Sequence, residues 1–279
     1  MDMKIKKFTV ILFWLLLIVP MVHAHYLWLE LENYQSKINK KNIIHIAFGH
    51  IFPLGDVSNK INLHDAVQPM IGILDRSELD ELYTVSPSGK REEILDKEPI
   101  SIKLKEKGIH WIVAEKKVFL GTCFDKKAGV VHCHIDAPRE ELEKKGLEVM
   151  EYFYAKNFAK TLLKTDGDHG NISKPIGQEL EIIPLKDPST LHKGDFLSLQ
   201  ILLYGRPLAV TYVYATYKGF SPDEETFAYT TWTGEDGIAK IKILKEGVWL
   251  IKVHFQKPSP RPEVDIERLC ATIVFEVKK

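Results

Sequence analysis

A mainly β fold, built as two β-sandwich domains, is predicted by three observations. From residue 25 onward the apolar residues fall in short or alternating runs, and Gly, Pro and polar residues punctuate them. About seven such runs crowd into roughly the last hundred residues, which is the density of a sandwich. One stretch, around 138–146, breaks the pattern and reads as a short helix.

Taken in order, residues 1–24 read as an export signal, with Lys4, Lys6 and Lys7 ahead of an apolar run from Phe8 to Val22. Val22 and Ala24 are small enough for a peptidase, so the mature chain is expected to begin at His25. The rival reading, an uncleaved anchor, meets an apolar run that is short for a bilayer. No later segment is long and apolar enough to span a membrane, so a periplasmic or extracellular product is expected. Strands are then predicted at Tyr26–Leu31, 42–48, 81–85, 100–104, 109–115 and 130–135. Cys123 and Cys133 bracket a segment able to turn the chain, and an oxidising compartment would pair them. Cys270 is left over, and in its apolar run it reads as a small buried hydrophobe. Pro138 followed by Arg139-Glu140-Glu141 suits a helix start, with early acids facing the positive end of the helix dipole. Periodicity does not choose between helix and strand for 147–163. The polar stretch 165–171 is a loop by composition and divides an N-terminal β domain, 25–170, from a C-terminal sandwich, 171–279. Beyond it strands are predicted at Leu180–Pro184, 196–204, 209–217, 226–232, 239–243, 249–255 and 270–277.

Composition excludes several classes of function. Lys plus Arg and Asp plus Glu each number 38, and losing the leader removes three Lys and one Asp, so 35 minus 37 leaves a net charge of −2. That balance offers no electrostatic case for a nucleic-acid partner. There is no Gly-x-Ser-x-Gly, His-Glu-x-x-His, phosphate-binding glycine loop or Cys-x-x-Cys, so no enzyme is expected.

Several stretches carry a resemblance: His25-x-x-Trp28-x-Glu30, Phe48-Gly49-His50 running to Pro53, the run from Gly177 to Pro188, Gly205-Arg-Pro207, and the run from Thr231 to Ala239 followed by Gly247-Val-Trp249. Together they resemble an exported family labelled nickel transport protein, or periplasmic component of a cobalt transport system. The C-terminal part is similar to the transthyretin-like, or immunoglobulin-like, sandwich modules appended to carboxypeptidases. The resemblance implies a divalent transition metal ion, nickel or cobalt with copper or zinc as alternatives, and a membrane metal transporter as partner.

Of eleven histidines, ten survive the cut. A terminal His25 offers an amine and an imidazole to one ion, and such tetragonal nitrogen ligation suits Ni(II) or Cu(II). His50 stands in a loop at a strand end, and the family's Gly-His pair supports it as the second ligand. His254 alternates with apolar neighbours in 249–255 and is the candidate third nitrogen. Glu30 is placed behind one of these ligands to orient it. A second-choice metal site combines His132 and His134, two apart on one strand, with His110 on a neighbouring one. The expected function is an exported metal-binding protein. The alternatives are a metal-free adhesion or partner-binding sandwich and a copper enzyme using the terminal histidine.

Overall fold

The computed structural model describes residues 25–53, 71–95, 99–125, 131–135, 138–167, 170 and 172–278. The leader, His169 and the turn between the two paired cysteines lie outside the described residues. In chain order the strands are β1 (Tyr26–Leu31), β2 (Lys41–Gly49), β3 (Ile71–Ile73), β4 (Leu79–Val85), β5 (Arg91–Glu93), β6 (Ser101–Lys103), β7 (Ile109–Lys116), β8 (Phe119–Asp125) and β9 (Val131–Ile135). After one helix, α1 (Arg139–Lys144), come β10 (Glu148–Lys164), β11 (Leu180–Pro184), β12 (Phe196–Leu203), β13 (Arg206–Pro207), β14 (Tyr212–Tyr217), β15 (Tyr229–Trp232), β16 (Ile238–Lys242), β17 (Gly247–Pro258) and β18 (Ile266–Val277).

The mainly β, sandwich-like class is as predicted, and the way its layers are shared is new. A ten-stranded sheet, running β15-β14-β17-β18-β10-β7-β4-β5 with β8 and β9 attached, lies between two four-stranded sheets. One outer sheet holds β1, β2, β3 and β6; the other holds β11, β12, β13 and β16. Alternation along the central strands feeds both interfaces. Phe158 and Leu162 of β10 pack toward β11 and β12, while Ala159 and Leu163 pack toward β1 and β2. Trp249, Ile251 and Val253 of β17 join the first core, and Leu250 joins the second. A strand buried on both faces carries apolar residues at consecutive positions. That is why 147–163 shows no diagnostic period, although it is strand from Glu148.

The expected domain division at residue 170 falls between β10 and β11. The central sheet is continuous across it, because β10 pairs in parallel with β18 from Phe153↔Ile266 to Thr161↔Val274. A fully buried ion pair ties the layers further: Lys160 Nζ lies 2.7 Å from Glu181 Oε1, each side chain 1% exposed. The Glu181 carboxylate also accepts the backbone N–H groups of Ile176 and Gly177, so none of its charge is left without a donor.

The helix forms where its proline and early acids place it. Glu140 and Glu141 stand in its first turn and Lys144 in its last, and the chain leaves through Gly146 at φ 74°. The Cys123–Cys133 disulfide is present. Its strands differ from expectation: Cys123 belongs to β8, which pairs directly with β9 and sets Cys123 opposite Cys133. The sequence hid β8 because Gly121 interrupts it; that glycine lies under the Phe153 ring, where a Cβ would collide. Cys270 is buried at 4% exposure, as its apolar setting suggested. Among the described residues no helix is long and apolar enough to cross a membrane.

Candidate functional site

The site forms at the end of the β1–β2 pair. The antiparallel register matches Tyr26 with Gly49. One step further sets His25 beside His50, as cross-strand neighbours on one face. Their ring centroids are 4.0 Å apart at 47°. His25 is also stacked on Phe48, 5.2 Å away at 16°. The Tyr26 hydroxyl donates to the His50 carbonyl at 2.9 Å, holding the chain as it leaves β2.

Burial, and after it the adjacent His50 ring, lowers the His25 imidazole from 6.5 to about 4, so it is neutral at physiological pH. On the far side of His50, Glu225 Oε1 lies 3.3 Å from Nδ1. Both oxygens of Glu225 also accept from Lys252 Nζ, at 2.9 and 2.6 Å. Burial acts to raise the Glu225 carboxyl, but the His50 contact and the Lys252 ammonium overcome it and hold the group below its ordinary value. The tautomer with its proton on Nδ1 donates to this carboxylate and keeps an Nε2 lone pair for a ligand. Lys252 is 3% exposed, and the faces of Tyr26 (4.5 Å) and Phe227 (5.4 Å) flank its ammonium.

The site therefore offers two adjacent imidazoles, that of His25 uncharged, with a carboxylate behind His50. Among the described residues, no three His, Cys, Asp or Glu side chains are grouped so as to hold an ion. A donor set of two imidazoles fits a transition metal only with a further donor. The α-amine of His25 supplies one if the chain is cut after Ala24, because amine and Nδ1 of one residue close a chelate ring.

The other predicted residues are placed elsewhere. His254 lies on the same face of β17 as Lys252, opposite Cys270 of β18. Its charged neighbours are Lys252, Arg268 and Glu225, whereas those of His25 are His50, Glu225, Lys252 and Lys116. Lys252 and Glu225 neighbour both His254 and His25, but neither His25 nor His50 is among the charged neighbours of His254, which is not paired with them. Glu30 does not orient either histidine: its Oε1 accepts from the Trp28 indole at 2.9 Å, five residues or about 16 Å along the strand from His25. The second-choice cluster does not assemble around His110. His132 lies opposite Phe124, which is itself opposite Val149 near the start of β10. His110 lies opposite Leu163 at the other end of β10, roughly 45 Å away at ~3.3 Å per residue. The His110 Nε2 is 2.9 Å from the Glu106 carbonyl.

Glu225 and Lys252 escaped the sequence reading. Glu225 sits in the acidic loop between β14 and β15 and is separated from His50 by 175 residues. Lys252 is recognisable only as a charge alternating with apolar residues in a strand. Its burial depends on a layer contributed by the other end of the chain.

Among curated proteins none matches this chain. Two solved structures are similar at low level. One is the D0-D1 domain of Intimin, at 11% identity and TM-score 0.22, covering 90% of this chain and 97% of that one. The other is CfaE, the adhesive subunit of the CFA/I fimbria of enterotoxigenic Escherichia coli, at 8% identity and TM-score 0.14, covering 88% and 81%. A family model matches residues 22–257, most of the chain and both halves of the site, and the protein belongs to that family, the domain of unknown function DUF4198.

Proposed function

We propose that the protein is an exported binding protein for a divalent transition metal, nickel or cobalt in first place, that hands its ion to a membrane transporter. His25 and His50 are the imidazole ligands, and the His25 amine, freed by cleavage after Ala24, is a third nitrogen. One observation carries the reading: two imidazoles meet at 4.0 Å across a strand pair, and His25 is held uncharged down to about pH 4. The His25 ring gives up nothing to protonation at neutral pH, and the competing proton on that residue is the one on its amine. The disulfide supports an oxidising compartment.

The test is equilibrium dialysis with Ni(II), Co(II), Cu(II) and Zn(II) on protein whose first residue is His25. Retention at micromolar concentration is expected, with loss in His25→Ala and His50→Ala and weakening of at least tenfold when one residue is added before His25. No retention of any ion by the wild-type protein would refute the reading. A partner-binding role has one observation in its favour. Trp232 and Tyr212, opposite each other on the β15–β14 edge, are 66% and 59% exposed. It predicts that Trp232→Ala impairs surface attachment while leaving metal binding intact.

A further inference from the structure

We propose that Cys123–Cys133 is a site of thiol–disulfide exchange, opened at Cys133 by an attacking thiolate, with Arg268 holding the Cys123 sulfur that leaves. Strand register brings the groups together. On β10, Glu151, Phe153 and Ala155 share one face; Cys123 of β8 lies opposite Glu151, and Arg268 of β18 lies opposite Ala155 along the other edge. The Arg268 side chain therefore crosses β10 diagonally. Its guanidinium lies over the Phe153 ring, 4.0 Å from the centroid, and its Nη2 is 3.8 Å from Cys123 Sγ. The same Nη2 meets the Glu151 carboxylate. Arg268 is 3% exposed, and its Nε–H has no partner among the described residues. Packing of the strands does not by itself account for a buried guanidinium with a donor to spare on a disulfide sulfur.

The chemistry depends on which sulfur is attacked. Cys123 is 2% exposed, whereas Cys133 is only partly buried, so an incoming thiolate meets Cys133 Sγ. The electron pair of that thiolate forms the new bond, the S–S bond breaks, and its pair stays on Cys123 Sγ as a thiolate. A neutral disulfide sulfur is a weak acceptor and a thiolate a strong one, so the guanidinium binds the departing sulfur more tightly than the intact bond. The apolar cluster around Cys123 offers an anion no solvation of its own, and Arg268 supplies a counter-charge that is already buried. A second thiolate then attacks the mixed disulfide at the reductant's own sulfur and releases Cys133. In total the protein takes up two electrons and two protons, and the reductant becomes a disulfide. The β8–β9 ladder keeps Cys123 opposite Cys133 without the bond, so oxidation restores it.

The experiment follows glutathione opening the bond in the folded, oxidised protein at neutral pH, in wild type, Arg268→Met, Arg268→Lys and Glu151→Gln. Thiols are trapped with iodoacetamide and located by peptide mass. Cys270 stays silent, because burial pushes its thiol up to about 12. The glutathione adduct is expected on Cys133 and the trapped thiol on Cys123. The rate should fall about tenfold in Arg268→Met, recover in part in Arg268→Lys, and rise about threefold in Glu151→Gln, which frees the guanidinium for the departing sulfur. The Glu151 side chain is 24% exposed, so its replacement keeps the test open even where Arg268→Met does not fold. Reduced thioredoxin, run beside glutathione at equal thiol concentration, separates the sources of the thiolate: a faster reaction assigns a protein dithiol, a slower one a small thiol. Adducts spread over both cysteines, a Glu151→Gln rate equal to that of wild type, or a bond that neither reagent opens in the folded protein would overturn the proposal.

Discussion

His254 is expected to make the fold acid-sensitive, and His254→Gln to remove that sensitivity. Burial, then the positive charges of Lys252 and Arg268, lowers this imidazole from 6.5 to about 4. Its Nε2 is buried without a hydrogen-bond partner among the described residues, so a proton placed there would have no acceptor. The sign follows from which state binds the proton. Above pH 6.5 neither the folded nor the unfolded chain protonates the ring, and the histidine contributes nothing. Below it the unfolded chain takes up a proton that the folded one refuses until about pH 4, so stability falls as pH falls. A drop from 6.5 to about 4 is worth about 3 kcal/mol in full, and about 2.5 kcal/mol at pH 4.5. Urea denaturation followed by tryptophan fluorescence, at pH 7 and pH 4.5, gives the loss for each protein. The wild-type loss should exceed that of His254→Gln by about 2.5 kcal/mol. His25, also lowered to about 4, contributes in the same sense to both proteins and cancels in the comparison. Equal losses in the two proteins would mean that His254 is protonated in the fold, and the reasoning from its burial would fail.

Three further outcomes are expected. Glu181→Gln leaves the Lys160 ammonium buried without its counter-charge and should cost about 3–5 kcal/mol in denaturant unfolding, whereas Lys160→Met/Glu181→Leu, which removes both charges, should cost clearly less. Reducing Cys123–Cys133, ten residues apart in sequence, should lower stability by about 3 kcal/mol, read as the shift in denaturation midpoint with and without reductant. A fragment of residues 171–279 lacks β7 and β10, and with them Trp111, Val113, Phe158 and Leu162 of the core it shares. It should show neither cooperative unfolding nor dispersed amide resonances, and a folded fragment would refute the dependence on the shared sheet.

The sequence disclosed the strands whose two faces differ and obscured those whose faces are alike. Tyr212–Ala215 and Ile238–Lys242 alternate buried with more exposed positions and are readable as strands at sight. Glu148–Lys164 is buried on both sides along most of its length, so its pattern matches neither template. The sharing of one sheet between two cores was hidden for the same reason. A strand contributing to both layers looks locally like a strand of either. At the site, His25 was legible from the predicted cut after Ala24, and His50 from its place in a loop at a strand end and the Gly-His pair of the resembling family. Glu225 was not, because its only signal is long-range: a lone carboxylate in an acidic surface loop acquires meaning when a layer folded from the chain's beginning is laid against it.

The same shared sheet explains why a site made from both ends of the chain can be held precisely. The Thr272 hydroxyl of β18 donates to the Leu27 carbonyl at 2.6 Å, a buried bond two residues from His25 that pins β1 to the central sheet. Tyr26 fixes the His50 carbonyl, and Lys252 of β17 fixes Glu225. Sliding β1 by one residue would exchange Leu27 and Leu29 with Tyr26 and Trp28 between two buried faces and carry His25 away from His50. All four side chains are fully buried and differ in size, so the packing of the core around them enforces the histidine pairing. Positioning by strand register rather than by loop conformation places the two rings through the rigid part of the fold.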